Sequence, residues 1–167
     1  MRLRCKGRHI MGTPTQADTQ TKKKRQSGIP AGNAGEYFVM GELLRRGFDA
    51  QLAGRNTKGY DLLVGRPGGT APLRQVQVKT VREGSGNWFV NVVDFESELL
   101  NGATVYVHLG KLDGKSPVRL FIAKNRDVKI HIQSPNWKKP GVKQGFMPRT
   151  AVMVEQYENK WCSLLTA

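Results

Sequence analysis

The stretch GYDLLVGRPGGTAPLRQVQVKT, residues 59–80, holds two short apolar segments separated by a loop rich in glycine and proline. In QVQVKT, Val76 and Val78 alternate with Gln77 and Lys79, which is the pattern of a half-buried strand. The loop between the segments has strong turn residues, so the stretch predicts a β-hairpin. Its polar face is either the solvated side of a sheet or half of a metal site.

The register of this hairpin decides which side chains meet. Paired residues of antiparallel strands keep a constant sum of residue numbers, and strand ends near Gly65 and Arg74 put that sum near ~139. Asp61 then falls opposite about Val78, within a residue or two, and beside Gln77 and Lys79. A slip of one residue would move Asp61 to the other face, so the shared face is a hypothesis.

Asp61, Gln77 and Lys79 would together supply the groups that metal-assisted phosphodiester hydrolysis requires. Mg²⁺ prefers oxygen ligands, commonly one or two carboxylates completed by waters and substrate phosphate. The ion polarises the phosphoryl group, and a lysine beside it orients the attacking water and offsets the developing charge.

The segment NAGEYFVMGELLRR, residues 33–46, predicts an amphipathic helix before the hairpin. Asn33 is the expected N-cap and Gly47 the expected C-terminal stop. Glu36 lies at the edge of the apolar stripe. It is either an acid favoured by the helix dipole or an inward-facing acid of an active site. The stripe is expected to contain Tyr37, Met40 and Leu44, widened by Val39 and Leu43.

The rest of the chain predicts an α/β sandwich with a mixed central β-sheet flanked by helices. Trp88 is expected in the core, and His108 is expected to be a structural strand residue beside Tyr106. Asn125 is expected to cap a short helix. Strands are expected within 48–53, 55–65, 87–93, 104–110 and 118–123, helices within 95–100, 124–133 and 154–165, and a long basic loop at 134–149.

The charge of the chain points to a polyanionic partner. Its 167 residues suit a single domain and carry a formal net charge of +14. Residues 1–30 hold eight basic residues and one acid, so half of that charge lies in the remaining residues 31–167. We therefore expect a flexible basic N-terminal arm over 1–30, a single domain over 31–167, and nucleic acid as the first candidate partner. An anionic membrane surface is the second candidate.

The cysteines and the hydropathy bear on the compartment. Cys5 and Cys162 lack the CxxC spacing of a zinc site and do not suggest a disulfide framework, so a cytoplasmic location is expected. No apolar run approaches the roughly 18 residues of a membrane span.

The residues of the helix and the hairpin resemble those of the PD-(D/E)XK nuclease superfamily. GEYFVMGELLRRGFDAQLAGRNTKGYDLLV and QVQVKT carry the resemblance, which covers about residues 31–110 and extends to small uncharacterised bacterial members. The superfamily has the restriction-endonuclease-like fold and includes a homing endonuclease with Gln in the second acidic position. The resemblance implies an endonuclease that hydrolyses DNA with Mg²⁺, or with Mn²⁺ in its place. Because many relatives cut as dimers, it also implies a homodimer as an option.

The resemblance assigns roles to individual residues. Asp61 matches the central metal-binding aspartate, Lys79 the catalytic lysine, and the Val78 carbonyl the backbone metal ligand. Glu36 matches the helix glutamate that joins the outer shell through water. Gln77 stands where a carboxylate is usual and brings no charge, so this is a QxK variant. Either the chain is a working nuclease, or it is a nucleic-acid-binding module of the same fold with a weakened or inactive metal site. A third hypothesis is a basic protein that binds another protein or an anionic lipid surface.

Basic residues outside the motif are candidates for DNA contacts. Arg55 and Lys58, just before Asp61, are either solvated turn residues or phosphate contacts. In the loop 134–149, aromatic residues interleaved with basic ones suit a stacking platform within a backbone-binding channel. The alternative is that Trp137 and Phe146 fix the loop to the core while its cations stay solvated. The candidate cations of this loop are Lys138, Lys139, Lys143 and Arg149.

Overall fold

Two sheets and one long helix form most of the part of the chain that the structure describes. A computed structural model describes residues 29–54, 57, 59–95, 101–133 and 144–164. The strands are β1 (Asp49–Leu52), β2 (Leu62–Gly65), β3 (Arg74–Val81), β4 (Trp88–Asn91), β5 (Ala103–His108), β6 (Arg119–Lys124) and β7 (Gln144–Met147). The α-helices are α1 (Ile29–Arg45), α2 (Asn125–Val128) and α3 (Arg149–Val152), and short 3₁₀ segments cover Val92–Phe95, Lys129–His131 and Trp161–Leu164.

The central sheet is mixed. Its five strands lie in the order β1-β2-β3-β5-β6, with β3 and β5 parallel and all other neighbours antiparallel. A second, two-stranded sheet pairs β4 with β7. The predicted α/β fold with a mixed central sheet and helices is therefore confirmed.

The two faces of the central sheet are buried by different elements. On one face, Val39 and Leu43 of α1 pack against side chains that include Val78 and Val105. On the other face, the second sheet packs against a separate cluster around Tyr106. Because β5 is covered on both faces, all six of its residues are buried.

Helix α1 differs from the prediction in its start and in its buried face. It begins at Ile29, and Asn33 therefore lies inside the helix and is not its N-cap. The helix buries Val39 and Leu43 completely, whereas Tyr37 is 59% and Leu44 is 50% exposed. The predicted stop at Gly47 is confirmed by its φ of +77°, a left-handed conformation that glycine adopts without strain.

The C-terminal quarter departs most from the prediction. The predicted helix over 154–165 is wrong: this segment forms turns and then the 3₁₀ helix Trp161–Leu164. Its backbone is bonded to β6 instead, because the Ile122 N–H donates to the Tyr157 carbonyl at 2.8 Å and the Asn159 N–H donates to the Leu120 carbonyl at 3.0 Å. The predicted loop at 134–149 also contains β7. The predicted strand over 87–93 ends at Asn91.

Three smaller expectations concern single side chains. Trp88 is fully buried as predicted, and its ring nitrogen donates to the Val107 carbonyl at 3.2 Å. His108 is a buried strand residue, also as predicted. Asn125 is not a cap, since the capping position is Lys124 and the Asn125 side chain accepts a hydrogen bond from the Thr104 hydroxyl at 2.7 Å. Residues 1–28, most of the expected basic arm, and residues 96–100 of the helix expected at 95–100 lie outside the described residues. Within the described ranges no helix has the length and apolarity to cross a membrane.

Candidate active site

The hairpin brings Asp61 to the face of β3 that carries Gln77 and Lys79. Strands β2 and β3 pair with Leu62 opposite Val76, so the residue numbers of a pair add up to 138, one less than expected. Asp61 immediately precedes β2, and continuing the register places it opposite Gln77. Since side chains alternate along a strand, Asp61 shares a face with Gln77 and Lys79.

The Asp61 carboxylate lies beside β3, just beyond the last pair that β2 and β3 form. Pairing with β2 extends along β3 only to Val76, whereas β3 runs on to Val81. Beyond that point the Val78 N–H donates to Asp61 Oδ2 at 2.7 Å, in place of a strand partner. The backbone of Asp61 is held as well, since its N–H donates to the Val76 carbonyl at 2.9 Å. A charge-assisted bond of this length fixes the orientation of the carboxylate.

The other groups of the candidate site follow from the geometry of β3. In an extended strand, the N–H and C=O of one residue face the same neighbouring strand, so the Val78 carbonyl lies at the edge where Asp61 lies. Gln77 is 8% exposed and stands beside Thr104 of β5. Lys79 is half-buried and stands beside Tyr106.

Helix α1, which carries Glu36, approaches the same strand from the opposite side of the sheet. Its neighbour Gly35 is so close to β3 that a Cβ there would lie 1.9 Å from the Thr80 hydroxyl oxygen. Thr80 and Lys79 are consecutive and point to opposite faces, so α1 lies on the Thr80 side. The structure thus brings Asp61, Gln77 and Lys79 together on one face and places Glu36 on the helix across that strand.

The donor set fits one type of ion. Asp61, Gln77 and the Val78 carbonyl offer hard oxygen atoms, which suit Mg²⁺ or Mn²⁺. In the described part of the chain, no three His, Cys, Asp or Glu side chains are grouped so that they could hold a metal ion. These residues could hold such an ion only if further ligands came from water or from a bound molecule.

The predicted DNA-contacting residues are only partly covered by the structure. Arg55, Lys58, Lys138, Lys139 and Lys143 lie outside the described residues.

Arg149 is described, and its guanidinium donates to the Arg82 carbonyl at 2.9 Å, just past the end of β3. Burial lowers the pKa of the neighbouring His108, and the charge of Arg149 adds to that effect. Arg149 therefore has a structural contact at the end of β3.

Of the two aromatic residues in the predicted basic loop, the structure describes only Phe146. Phe146 lies on β7 and its ring packs against Phe89 with centroids 4.9 Å apart. Phe89 is itself 65% exposed, so Phe146 contacts a surface residue of β4. Trp137 lies outside the described residues.

Comparisons with known proteins give a structural likeness. No protein-family model and no curated protein matches the chain. The chain is similar to the structure of a bacterial homing endonuclease, I-Ssp6803I, with 20% sequence identity and a TM-score of 0.48, over 84% of this chain and 93% of that chain. At this level of similarity the assignment of the site rests on the geometry of the chain itself.

Two contacts of the site could not be read from the residue pattern. The pattern gave the shared face as a hypothesis and did not predict that the Val78 N–H would bind the Asp61 carboxylate. It also did not predict the contact between Gly35 and Thr80. A glycine inside a helical pattern is the signal that could have indicated a close approach of two backbones.

Proposed function

We propose that the protein is a metal-dependent endonuclease that hydrolyses phosphodiester bonds of DNA. The observation that carries the proposal is the 2.7 Å hydrogen bond from the Val78 N–H to Asp61 Oδ2. This bond orients a carboxylate at the open edge of β3, on the face that holds Gln77 and Lys79. Preorganised charge at such a position is what phosphoryl transfer requires of a protein.

Each residue has a proposed role. Asp61, Gln77 and the Val78 carbonyl would hold Mg²⁺ or Mn²⁺, with Glu36 in the outer shell through water. When bound, the ion supplies polarisation of the phosphoryl group and offsets its negative charge. Lys79 has three N–H donors and no acceptor, so it positions the attacking water by donating to it and stabilises charge on the phosphate.

The charge of the chain supports DNA as the partner. The net charge of +14 far exceeds what solubility requires, and half of it lies beyond residue 30. We propose that the enzyme is cytoplasmic. A homodimer would offer one such site to each strand of a duplex.

One observation favours a second candidate function, a DNA-binding module with the same fold. Gln77 is uncharged and 8% exposed, and the described residues contain no cluster of three metal-binding His, Cys, Asp or Glu side chains. A site with so few carboxylates binds Mg²⁺ weakly. In that case the basic surface would bind DNA without cleaving it.

Cleavage assays separate the two functions. Supercoiled plasmid and branched DNA are incubated with the protein in Mg²⁺, Mn²⁺ or EDTA, and the variants are Asp61→Ala and Lys79→Ala. Lys111→Ala removes the same charge from an exposed loop and is the control for Lys79→Ala. Metal-dependent cleavage that is lost in both site variants and kept in the control supports the nuclease.

Two other outcomes contradict the nuclease. Salt-sensitive DNA binding that survives both substitutions, with no cleavage in any metal, supports the binding module. Absence of DNA binding even at low salt would refute both functions.

A further inference from the structure

A cavity lies at the end of α1, apart from the candidate active site. Its volume is about 620 Å³, and it opens between the C-terminal end of α1 and the turn that precedes the 3₁₀ helix Trp161–Leu164. The residues that matter for its chemistry are Arg46, Phe48, Lys160, Trp161 and Cys162. We call it the helix-end pocket.

Both walls of the helix-end pocket are anchored to the core. On the α1 side, the Phe48 N–H donates to the Leu43 carbonyl at 3.1 Å. On the other side, Asn159 adopts a left-handed φ of +56° and its N–H is bonded to β6. A bidentate ion pair joins Glu158 to Arg119 of β6, with both N–O distances at 2.9 Å. The pocket is therefore preformed, which lowers the entropic cost of binding a ligand.

The cations of the pocket are held in place. The Arg46 guanidinium lies 4.9 Å from the centre of the Trp161 ring and is also ion-paired with Glu42. Glu42 is shared with Arg45, so its one carboxylate is divided between two guanidinium groups, and Lys160 adds a second cation to the pocket lining. The mouth of the pocket keeps a net positive charge. A planar guanidinium held on two sides is suited to bind a phosphate through its remaining N–H groups.

The apolar part of the pocket narrows the ligand class. Phe48 and Trp161 line the pocket beside the cations. A phosphate alone would not use these side chains, whereas a phosphate joined to a sugar and a base would.

We propose that the helix-end pocket binds one nucleotide of a DNA strand, with its phosphate at Arg46 and Lys160 and its sugar or base against Phe48. The identity of the polymer rests on the proposed function. Arg46 is ten residues from Glu36 along α1 and the residue after it, a distance of about 15 Å at 1.5 Å per residue. This corresponds to about four base pairs at 3.4 Å each. The pocket would therefore hold the DNA at the opposite end of α1 from Glu36.

Equilibrium DNA binding in EDTA tests the proposal without cleavage. The probe is a fluorescein-labelled duplex of about 20 base pairs, titrated at several salt concentrations. We expect Arg46→Ala and Lys160→Ala each to weaken binding roughly tenfold, as for the loss of one charged hydrogen bond. Each should also lower the salt slope by about 0.9, the value for one phosphate contact.

Arg45→Ala is the matched control. Arg45 pairs with the same Glu42 as Arg46 and its loss removes the same charge, but it does not line the pocket. We expect Arg45→Ala to retain the wild-type salt slope. Equal weakening by Arg45→Ala and Arg46→Ala would overturn the pocket proposal, and thermal unfolding of both variants verifies that they are folded.

Cys162 provides a second readout inside the pocket. It is an exposed free thiol, so its alkylation rate reports access to the pocket. In a Cys5→Ser background, saturating duplex should slow alkylation of Cys162 several-fold, and Arg46→Ala should abolish the protection at a DNA concentration that still saturates the variant. An unchanged alkylation rate with saturating wild-type complex would overturn the proposal. A protein that shows this protection but never cleaves DNA would refute the nuclease function alone.

Discussion

The most informative perturbation of the candidate active site is Gln77→Glu, which gives the site the carboxylate that the QxK pattern lacks. Asp61 stands opposite position 77 when the β2–β3 register is continued. Cβ atoms of directly opposite residues are about 5 Å apart. Two carboxylates at ~5 Å repel by roughly 3 kcal/mol at an effective dielectric constant of 20. Because Asp61 is partly exposed, we expect about 1–2 kcal/mol of this repulsion in the folded protein.

The predicted result has two parts, measured by thermal unfolding at pH 8. In EDTA, Gln77→Glu should lower the melting temperature by about 2–8 °C, since 1 kcal/mol shifts it by about 2–4 °C in a protein of this size. With 10 mM Mg²⁺, the variant should regain this loss. Binding with a dissociation constant of ~1 mM would contribute about 1.4 kcal/mol at that concentration. The wild-type site has one negative charge fewer, so Mg²⁺ should raise the melting temperature of the wild-type protein by a smaller amount.

Gln75→Glu is the control for this experiment. Gln75 lies on the same face of β3, two residues earlier, and is exposed opposite Leu63. The Gln75→Glu substitution adds the same charge without a carboxylate partner. The melting temperature of this variant should therefore differ little from that of the wild type in EDTA or in Mg²⁺. If the two variants respond alike in both buffers, position 77 and Asp61 do not share an ion and the proposed ligand set is wrong.

Three further predictions test the supports of the site. Asp61→Ala removes the acceptor of the Val78 N–H and should cost about 1–3 kcal/mol in urea unfolding; Asp61→Asn keeps an acceptor and should cost less, although both should abolish cleavage. Gly35→Ala should destabilise by about 1–3 kcal/mol in the same assay, because the new Cβ would lie 3.0 Å from the threonine Cβ beneath it and rotation of that side chain gives no relief. Gly41→Ala, with open space around it, should instead stabilise by about 0.5–1 kcal/mol, and equal effects at the two glycines would contradict the close approach. Burial lowers the pKa of His108, so below about pH 6.5 the unfolded chain binds a proton that the folded chain does not, and stability should fall as the pH decreases through this range. His108→Gln should make the difference in unfolding free energy between pH 5.5 and pH 7.5 smaller, and an unchanged difference would contradict this assignment.

The residue pattern predicted the part of the fold in which local signals agree. The turn residues between Gly65 and Arg74 fix where the hairpin reverses, and alternation in β3 fixes its faces. The register was therefore predicted to within one residue. The common face of Asp61, Gln77 and Lys79 depends on that one residue, because the expected sum near ~139 places Asp61 opposite Val78 and the observed sum of 138 places it opposite Gln77.

The pattern failed where distant partners decide the structure. Residues 154–165 have apolar spacing typical of a helix, yet their backbone groups bond to β6 and the segment follows that strand. Strand β7 contains Gly145 and follows a segment rich in Lys and Pro, and it forms because β4 offers a pairing edge. The start of α1 was also missed, because Asn33 is a good cap residue that the helix passes through. Pro30 in the first turn was the signal for the earlier start.

The order of the elements along the chain has a consequence for how the protein folds. The residues of the candidate active site all lie between Ile29 and Val81, in one helix and three consecutive strands with antiparallel neighbours β1–β2 and β2–β3. The second sheet cannot form until β7 pairs with β4, and this pairing places Trp88 opposite Met147. Contacts between residues close in sequence form faster than contacts that close a long loop. We therefore expect the helix and first three strands to assemble early during synthesis, and the two-stranded sheet to close last over a site whose register is already set.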